Sequence, residues 1–281
     1  MQSQLPNFLE LETQGFVLIK GFLDETELAK ICTTYNNSIQ YFNTNGFPNK
    51  NYSIFYANIP DSVTEKCKKL LEQIQAHSKL TTNRILNKNK ALYFDNNIVG
   101  FGWHQDHEDY FLWQSTQHQL NFWIPIIKPD SFKDGLDIIP LDTFARHDPT
   151  FVNNHVIGQG AKSCAESGAD LTRIRDDEND NQYILNYNIN EQGLTLPMVA
   201  GDLLLLRGDV FHKTPTKNQH RVAISIRALD DRQLLTKNKF LSGGARKREM
   251  INNNSGGYRI LRQGFEKHDI VSIGEVLDGT F

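Results

Sequence analysis

Cysteine is scarce in this sequence, with three residues, Cys32, Cys67 and Cys164, among 281. Their wide separation and odd number exclude a disulfide framework and a zinc ribbon, and they suit a reducing compartment. No apolar run approaches the roughly 18 residues that a membrane span needs. The first residues also lack the basic and apolar segments of a secretory signal peptide. We therefore expect a cytoplasmic protein that makes no contact with a membrane.

Neither sign of charge is in large excess, because the formal net charge at pH 7 is only -3. This balance disfavours non-specific nucleic-acid binding. A hydrophobic fraction of 39% and a charged fraction of 22% are ordinary for a soluble globular chain. No internal repeat is visible. The length suits one domain over residues 1–281, and jelly-roll and barrel domains often reach this size. The oligomeric state stays open.

An H-x-D triplet, formed by His104, Gln105 and Asp106, lies inside the segment FGWHQDH at 101–107. Alternate residues of an extended chain point to the same face, so His104 and Asp106 can aim at one point. An imidazole and a carboxylate are two of the three ligands in the facial triad of non-haem Fe(II) oxygenases. An exposed polar turn also explains the triplet, so the metal hypothesis needs a second histidine. His107 points to the other face and is assigned a structural role.

The chain before the triplet changes from helical to strand periodicity. A strand at 15–20 precedes a helix from Asp24 to about residue 42. Asp24 with Glu27 three residues later is a capping-box-like start. Residues 43–53 have loop composition. A second helix begins near Ser62, and one apolar stripe on it is predicted from Val63, Cys67, Leu70, Leu71 and Ile74. Strands follow at 90–95 and 98–103. These patterns predict two N-terminal helices in front of a β core that covers about 85–230.

The strand predicted at 118–126 has two distinct faces. Leu120, Phe122, Ile124 and Ile126 form one apolar face, while Gln119, Asn121 and Trp123 form the other. If the apolar face packs on the N-terminal helices, Asn121 and Trp123 face the interior, where a ligand would bind. In the alternative interpretation both residues face solvent.

Residues 128–200 are the least regular part and are predicted as a long insert or lid region. The charged segment 173–181 reads as a long loop. Such loops often cover a substrate site, although a solvated excursion is equally compatible with the pattern. His147 and His155 have no partners at metal-ligand spacing and are interpreted as non-ligands.

A second group of candidate site residues follows the turn Gly201-Asp202. Leu203–Leu206 read as a buried strand, and His212 comes just after it. In the next strand, 221–228, Arg221 shares one face with the small residues Ala223 and Ser225. A guanidinium stays charged when partly buried and binds carboxylates bidentately. Arg221 is therefore the predicted anchor for an anionic co-substrate.

The order H-x-D, His212 and then Arg221 resembles the phytanoyl-CoA dioxygenase family of Fe(II)- and 2-oxoglutarate-dependent oxygenases. The likeness covers roughly residues 10–230. It includes the opening Gly15–Leu23, the form W-H-Q-D at 103–106, and Thr214 and Asn218 after the second histidine.

The resemblance implies a mainly β fold, a double-stranded β-helix (jelly-roll, cupin-like) barrel with N-terminal helices packed on one sheet. His104, Asp106 and His212 would bind Fe(II), and 2-oxoglutarate would chelate the metal beside O2. The distal carboxylate of 2-oxoglutarate would pair with Arg221 and Thr214. Other co-substrate contacts are expected from three residues: Gln105 and Trp123, which match family positions, and Asn121, which is inferred from strand alternation. Succinate and CO2 would be released.

Two features depart from the family pattern. Relatives usually have a Gly-Ser-His turn where this chain has Leu141-Asp-Thr-Phe144, which leaves the wall of the substrate pocket undefined. The C-terminal extension 237–281 carries no family signature. Its cluster Arg246–Arg248 is interpreted as a solvated patch, with contact to an anionic substrate as the alternative.

Several reaction outcomes remain open. The expected reaction is hydroxylation of a small organic molecule, such as an acyl thioester, an amino acid or a secondary-metabolite intermediate. Desaturation and cyclisation use the same triad. Halogenation is disfavoured because halogenases of this type replace the carboxylate ligand by Gly or Ala, whereas Asp106 is present here. A non-catalytic jelly roll that binds a ligand is the remaining alternative.

Overall fold

The computed structural model describes residues 6–44, 52–96, 101–106, 112–114, 118–133, 135–157, 162–167, 171–214, 220–253 and 256–281. The predictions for His107 and Asn218, for most of the loop at 43–53 and for the first part of the strand at 98–103 lie outside these ranges.

Sixteen strands are present in the described ranges, numbered in chain order. They are β1 (Phe16–Ile19), β2 (Tyr52–Asn58), β3 (Arg84–Ile85), β4 (Lys90–Asn96), β5 (Phe101–His104), β6 (Leu120–Ile127), β7 (Asp137–Ile138), β8 (Lys162–Ser167), β9 (Leu171–Asp176), β10 (Gln182–Leu185), β11 (Leu194–Thr195), β12 (Leu203–Arg207), β13 (His212–Thr214), β14 (Arg221–Leu229), β15 (Leu234–Thr236) and β16 (Ile270–Ser272).

The helices of the same ranges are α1 (Leu9–Thr13), α2 (Glu25–Thr44), α3 (Asp61–His77), α4 (Leu141–His147), α5 (Pro149–Phe151), α6 (Lys237–Leu241), α7 (Ala245–Asn252), α8 (Gly256–Lys267) and α9 (Ile273–Asp278). A π-helical turn, Val152–Val156, follows α5, and a 3-10 turn covers Ile189–Gln192. None of these helices is both long enough and apolar enough to cross a membrane.

Two antiparallel sheets of seven strands each form the centre of the molecule. Sheet A has the order β1-β12-β6-β14-β4-β2, and β3 pairs with β14. Sheet B has the order β10-β9-β8-β5-β13-β7-β11. One apolar cluster joins the sheets, with Trp123 and Ala223 from sheet A and Ile138 from sheet B. The predicted fold class, a mainly β jelly roll with flanking helices, is confirmed.

Helices α2 and α3 pack on the outer face of sheet A, as their apolar periodicity predicts. Asp24 and Glu27 form the predicted reciprocal cap: the Glu27 N–H donates to Asp24 Oδ1 at 2.8 Å, and the Asp24 N–H donates to Glu27 Oε2 at 3.1 Å. The predicted stripe of α3 is buried against sheet A and consists of Val63, Cys67, Leu70, Leu71 and Ile74.

Strand β6 alternates between the two layers as predicted. Leu120, Phe122, Ile124 and Ile126 belong to the cluster under the helices, whereas Trp123 belongs to the cluster between the sheets. The interior orientation predicted for Trp123 is therefore confirmed. Asn121, two positions earlier, is buried and shares that face by strand alternation.

The prediction of a long loop at 173–181 is wrong. Strands β9 and β10 form an antiparallel hairpin in which Arg175 lies opposite Gln182, so only the residues between Asp176 and Gln182 form the connection. Asp176, Asp177 and Glu178 are buried in it. Asp177 pairs with the nearby Arg175, whereas the cationic partners of Asp176 and Glu178 come from other segments. These separate partners are why the local charge density suggested a solvated loop. More widely, residues 128–200 supply five strands of sheet B.

The C-terminal extension has an apolar cluster of its own. Phe240, Leu261 and Phe265 pack there with Leu229 at the end of β14 and with Trp113 from the segment after the H-x-D triplet. The extension is thus folded onto the β core beside the segment that carries the candidate metal ligands.

Candidate metal centre

His104 and His212 are brought together by strand pairing. His104 ends β5, His212 begins β13, and the two residues lie directly opposite each other in the antiparallel ladder. Their ring centroids are 4.4 Å apart. Asp106 follows β5 by two residues, and its Oδ1 is 3.8 Å from His212 Nε2. One ligand atom from each of the three residues lies within 4.8 Å of the other two, so the triad could hold a metal ion.

Backbone carbonyls fix the orientation of both imidazole rings. His104 Nδ1 is 2.7 Å from the Gly102 carbonyl oxygen, and His212 Nδ1 is 3.0 Å from the Val210 carbonyl oxygen. A neutral ring that donates from Nδ1 carries its lone pair on Nε2, which is the arrangement that metal-binding histidines use. Both rings are thus held in the tautomer that presents Nε2 to the triad.

Arg227 donates two hydrogen bonds to Asp106, the third member of the triad. Its Nη2 donates to Asp106 Oδ1 at 3.1 Å, and its Nη1 donates to Oδ2. Burial opposes ionisation of the Asp106 carboxyl, but the charge and the hydrogen bonds of Arg227 outweigh it and hold the pKa well below its usual value. The carboxylate is therefore charged at neutral pH.

The donor set suits a divalent transition metal. Two imidazoles and one carboxylate on a single side, with the opposite side open to other ligands, form the pattern of non-haem Fe(II) enzymes. His212 and Asp106 are buried, and His104 is partly exposed beneath the ring of Phe101. The residues present therefore fit an Fe(II) ion.

Arg221 is buried at the start of β14, and its Nη1 donates to the Gly135 carbonyl at 3.0 Å. Strand alternation puts Arg221, Ala223, Ser225 and Arg227 on one face of β14. Because Arg227 reaches Asp106 from that face, the face points toward the triad. The guanidinium of Arg221 is thus a buried cation on the side of sheet A that looks toward the candidate metal centre.

Trp123 and Asn121 lie beside this face of β14, opposite Ser225 and Arg227 respectively. The Ser225 hydroxyl donates to Asn121 Oδ1 at 2.7 Å. Thr214 ends β13 and lies opposite Phe101, with an irregularity in the pairing between His212 and Thr214.

Gln105 points away from the other triplet residues and is fully buried. Its Nε2 donates to the carbonyls of Asp209 at 2.9 Å and Val156 at 3.2 Å, and its Oε1 accepts from the Lys162 N–H at 3.1 Å. The amide thus joins the end of β5 to three other segments. Its expected contact with a co-substrate stays a prediction.

Arg227 is the site residue that the sequence interpretation missed. The signal was present, since Arg227 continues the alternating series 221, 223 and 225 on the face already assigned to the site. What could not be read was its partner, because Asp106 lies 121 positions away in the sequence.

No protein-family model matches this chain, and no curated protein matches it in sequence. Three solved structures illustrate its similarity to known folds. EvdO2 from Micromonospora carbonacea var. aurantiaca is 11% identical, with 79% of this chain and 89% of that chain covered and a TM-score of 0.48. AviO1 from Streptomyces viridochromogenes Tue57 is 11% identical, with coverages of 80% and 93% and a TM-score of 0.47.

The third structure is the epimerase SnoN in complex with Fe3+, alpha ketoglutarate and nogalamycin RO. It is 13% identical, with coverages of 80% and 83% and a TM-score of 0.45. All three likenesses are low in both identity and TM-score. The residues of this chain therefore carry the functional proposal.

Proposed function

We propose that this protein is an Fe(II)- and 2-oxoglutarate-dependent dioxygenase that hydroxylates a small organic molecule. The observation that carries this proposal is the convergence of His104, Asp106 and His212 from neighbouring strands, with both imidazole rings locked to present Nε2. If the H-x-D triplet were only an exposed polar turn, there would be no reason for His212 of β13 to lie directly opposite His104.

Arg221 would hold the distal carboxylate of 2-oxoglutarate. It is a buried guanidinium on the face of β14 that looks toward the triad, and its hydrogen bond to the Gly135 carbonyl fixes its direction. Thr214, two residues after His212 at the end of β13, would donate a hydrogen bond to the same carboxylate. Trp123 would pack beside the co-substrate, and Asn121 completes the set of proposed contacts. The amide of Gln105 has three backbone partners and would hold the end of β5 in place.

When bound, Fe(II) with 2-oxoglutarate and O2 would supply the oxidising chemistry, with succinate and CO2 as the other products. The chain itself would hold the metal ligands in place and exclude water from the site. Ile138, directly opposite His212 in the ladder, is fully buried, and Trp123 closes the interior from sheet A. Two arginines on one face of β14 supply positive charge at separate places: Arg227 contacts Asp106, and Arg221 lies six residues earlier, at the Gly135 carbonyl. The substrate would approach from the partly exposed side of His104.

An anaerobic titration with Fe(II) and 2-oxoglutarate tests this proposal. The wild-type protein should develop a visible metal-to-ligand charge-transfer band, and His212→Ala should abolish it. His77→Ala is the matched control, because His77 is exposed at the end of α3 and distant from the triad in the fold. Absence of the band, or an unchanged band in His212→Ala, would show that iron is not bound by this triad.

Turnover separates the reaction outcomes. Acyl thioesters, amino acids and secondary-metabolite intermediates should be screened for stimulation of succinate release under air. A product heavier by one oxygen atom indicates hydroxylation, whereas loss of two hydrogens indicates desaturation or ring closure. A protein that binds iron and 2-oxoglutarate but releases no succinate with any substrate class would instead support a non-catalytic binding role.

A further inference from the structure

We propose that Arg227 is the positioning residue for Asp106, and that its fork makes Asp106 a one-oxygen metal ligand through Oδ1. The inference rests on the proposed function, because it assigns a role toward the metal of that same site. It concerns a residue that the resemblance to a known family did not identify.

The two oxygens of Asp106 have different surroundings. Oδ1 is 3.8 Å from His212 Nε2 and therefore faces the imidazoles. Oδ2 accepts from Nη1 of Arg227, and Oδ1 accepts from Nη2 at 3.1 Å. A carboxylate offers about four lone-pair positions. The fork occupies one on each oxygen and leaves one free on each. The free position on Oδ1 belongs to the oxygen that faces His212.

Arg227 is itself anchored by the sheet. It lies near the end of β14, where it pairs with Asn121 of β6. Its carbonyl accepts a hydrogen bond from the Leu86 N–H at 2.8 Å. The side chain of Arg227 is only 21% exposed, and that of Asp106 is 7% exposed. The fork therefore ties a ligand that follows a strand of sheet B to the rigid centre of sheet A.

Asp106 needs such an anchor more than the histidines do. Both histidines lie in strands, and each ring is held by the carbonyl two residues before it. Asp106 lies beyond the end of β5, where its backbone N–H makes a 3.3 Å bond to the Gly208 carbonyl. Partners that orient a metal ligand typically change metal affinity by about 10- to 100-fold when they are removed. Loss of the Arg227 fork should therefore weaken metal binding.

Charge alone predicts the opposite result. Arg227 is a cation next to a site for a divalent cation, so its removal would strengthen metal binding if Coulomb repulsion were its main effect. Arg227→Gln removes both the charge and the fork, whereas Arg227→Lys keeps the charge and loses the planar fork. Positioning predicts weaker binding in both variants. Repulsion predicts stronger binding in Arg227→Gln and no change in Arg227→Lys.

The test is a Co(II) titration of the full chain, followed by competition with a chelator and by the visible d–d spectrum. We expect both Arg227 variants to bind Co(II) about 10- to 100-fold more weakly, with an altered d–d spectrum that reports a changed carboxylate geometry. Arg232→Gln is the matched control, because Arg232 is an exposed arginine that pairs with Asp230 in the turn after β14. It should bind Co(II) like the wild type.

Affinity is measured per folded molecule, with folding checked by circular dichroism. If Arg227→Gln does not fold, Arg227→Lys carries the test, because it keeps a cation near Asp106. Co(II) affinity that is unchanged in Arg227→Lys, or increased in Arg227→Gln, overturns the positioning role. Failure of the proposed function looks different: the wild type then binds no Co(II), or binds it equally well after His212→Ala.

Discussion

Lys247 of helix α7 donates to Glu178 of the β9–β10 hairpin at 3.0 Å, and the Lys247 side chain is fully buried. Its Nζ also donates to the Lys239 carbonyl at 2.7 Å. Burial lowers the pKa of Lys247, and the carboxylate of Glu178 opposes that shift. This ion pair joins the C-terminal extension to a hairpin of sheet B. Neither region carries a motif of the family that the sequence resembles.

Breaking the pair from one side should destabilise the protein strongly. Lys247→Met leaves Glu178 buried without its cation, and such a change costs about 3–5 kcal/mol of the free energy of unfolding. Urea denaturation of the wild type and the variant measures the loss. Lys68→Met is a suitable control, because Lys68 is exposed and pairs with Glu65 on the surface of α3.

The double variant Lys247→Met with Glu178→Gln should recover part of that loss, because no unpaired charge remains buried. A Lys247→Met protein as stable as the wild type would show that solvent reaches Glu178 and that the extension is not held by this pair.

Arg221→Ala should separate co-substrate binding from metal binding. Removing one partner of a buried, hydrogen-bonded charge pair costs about 2–5 kcal/mol. Each 1.4 kcal/mol changes the dissociation constant about tenfold, so we expect 2-oxoglutarate to bind at least about 30-fold more weakly. Metal affinity in the absence of 2-oxoglutarate should change little, because Arg221 is neither a member of the triad nor the arginine that binds Asp106. Calorimetric titration measures both affinities, and an unchanged affinity for 2-oxoglutarate would place the anchor elsewhere.

Gln105→Leu should lower stability and leave the affinity for 2-oxoglutarate nearly unchanged. The substitution removes the partner of two carbonyls and one N–H in the interior, and each buried group left unpaired costs about 1–3 kcal/mol. We expect the free energy of unfolding to fall by at least about 2 kcal/mol. Gln75→Leu provides the control, because Gln75 is exposed and makes one bond of 3.4 Å. Loss of 2-oxoglutarate binding without loss of stability would instead assign Gln105 to the co-substrate.

Local patterns predicted the features that depend on one strand or helix at a time. The two faces of β6, the stripe of α3 and the cap formed by Asp24 and Glu27 all follow from residues a few positions apart. The positions of His104 and Asp106 also follow from spacing within five residues of one segment.

Features that depend on partners far along the chain could not be predicted. In the sequence Asp176 reads as part of a solvated loop. In the fold its Oδ2 lies 3.4 Å from Nζ of Lys162, a buried residue of β8. Asp106 and Arg227 are 121 positions apart, and no periodicity joins a residue after β5 to a residue of β14. The same limit applies to Gln105, whose backbone partners come from three separate segments.

A small polar network links helix α2 to the residue before Arg221. The Tyr35 hydroxyl donates to Asp95 Oδ2 at 2.7 Å, and His220 Nε2 is 2.9 Å from Asp95 Oδ1. The Tyr35 hydroxyl oxygen is also 3.2 Å from His220 Nε2. The hydrogen bond to Asp95 raises the pKa of His220 above its ordinary value of 6.5, although burial opposes the shift.

This network gives stability a defined pH dependence. Because the pKa of His220 is higher in the folded than in the unfolded state, its contribution is complete below pH 6.5 and is lost as the pH rises through the folded-state pKa. The His220 side chain is 41% exposed, so solvent screening limits the effect to below about 1 kcal/mol. The stability difference between wild type and His220→Gln in urea should shrink from pH 6 to pH 8, roughly the range in which histidine titrates. Asp95→Asn should remove this dependence, since it removes the carboxylate that favours the charged imidazole. A difference that grows with pH would mean that His220 is held neutral in the folded protein.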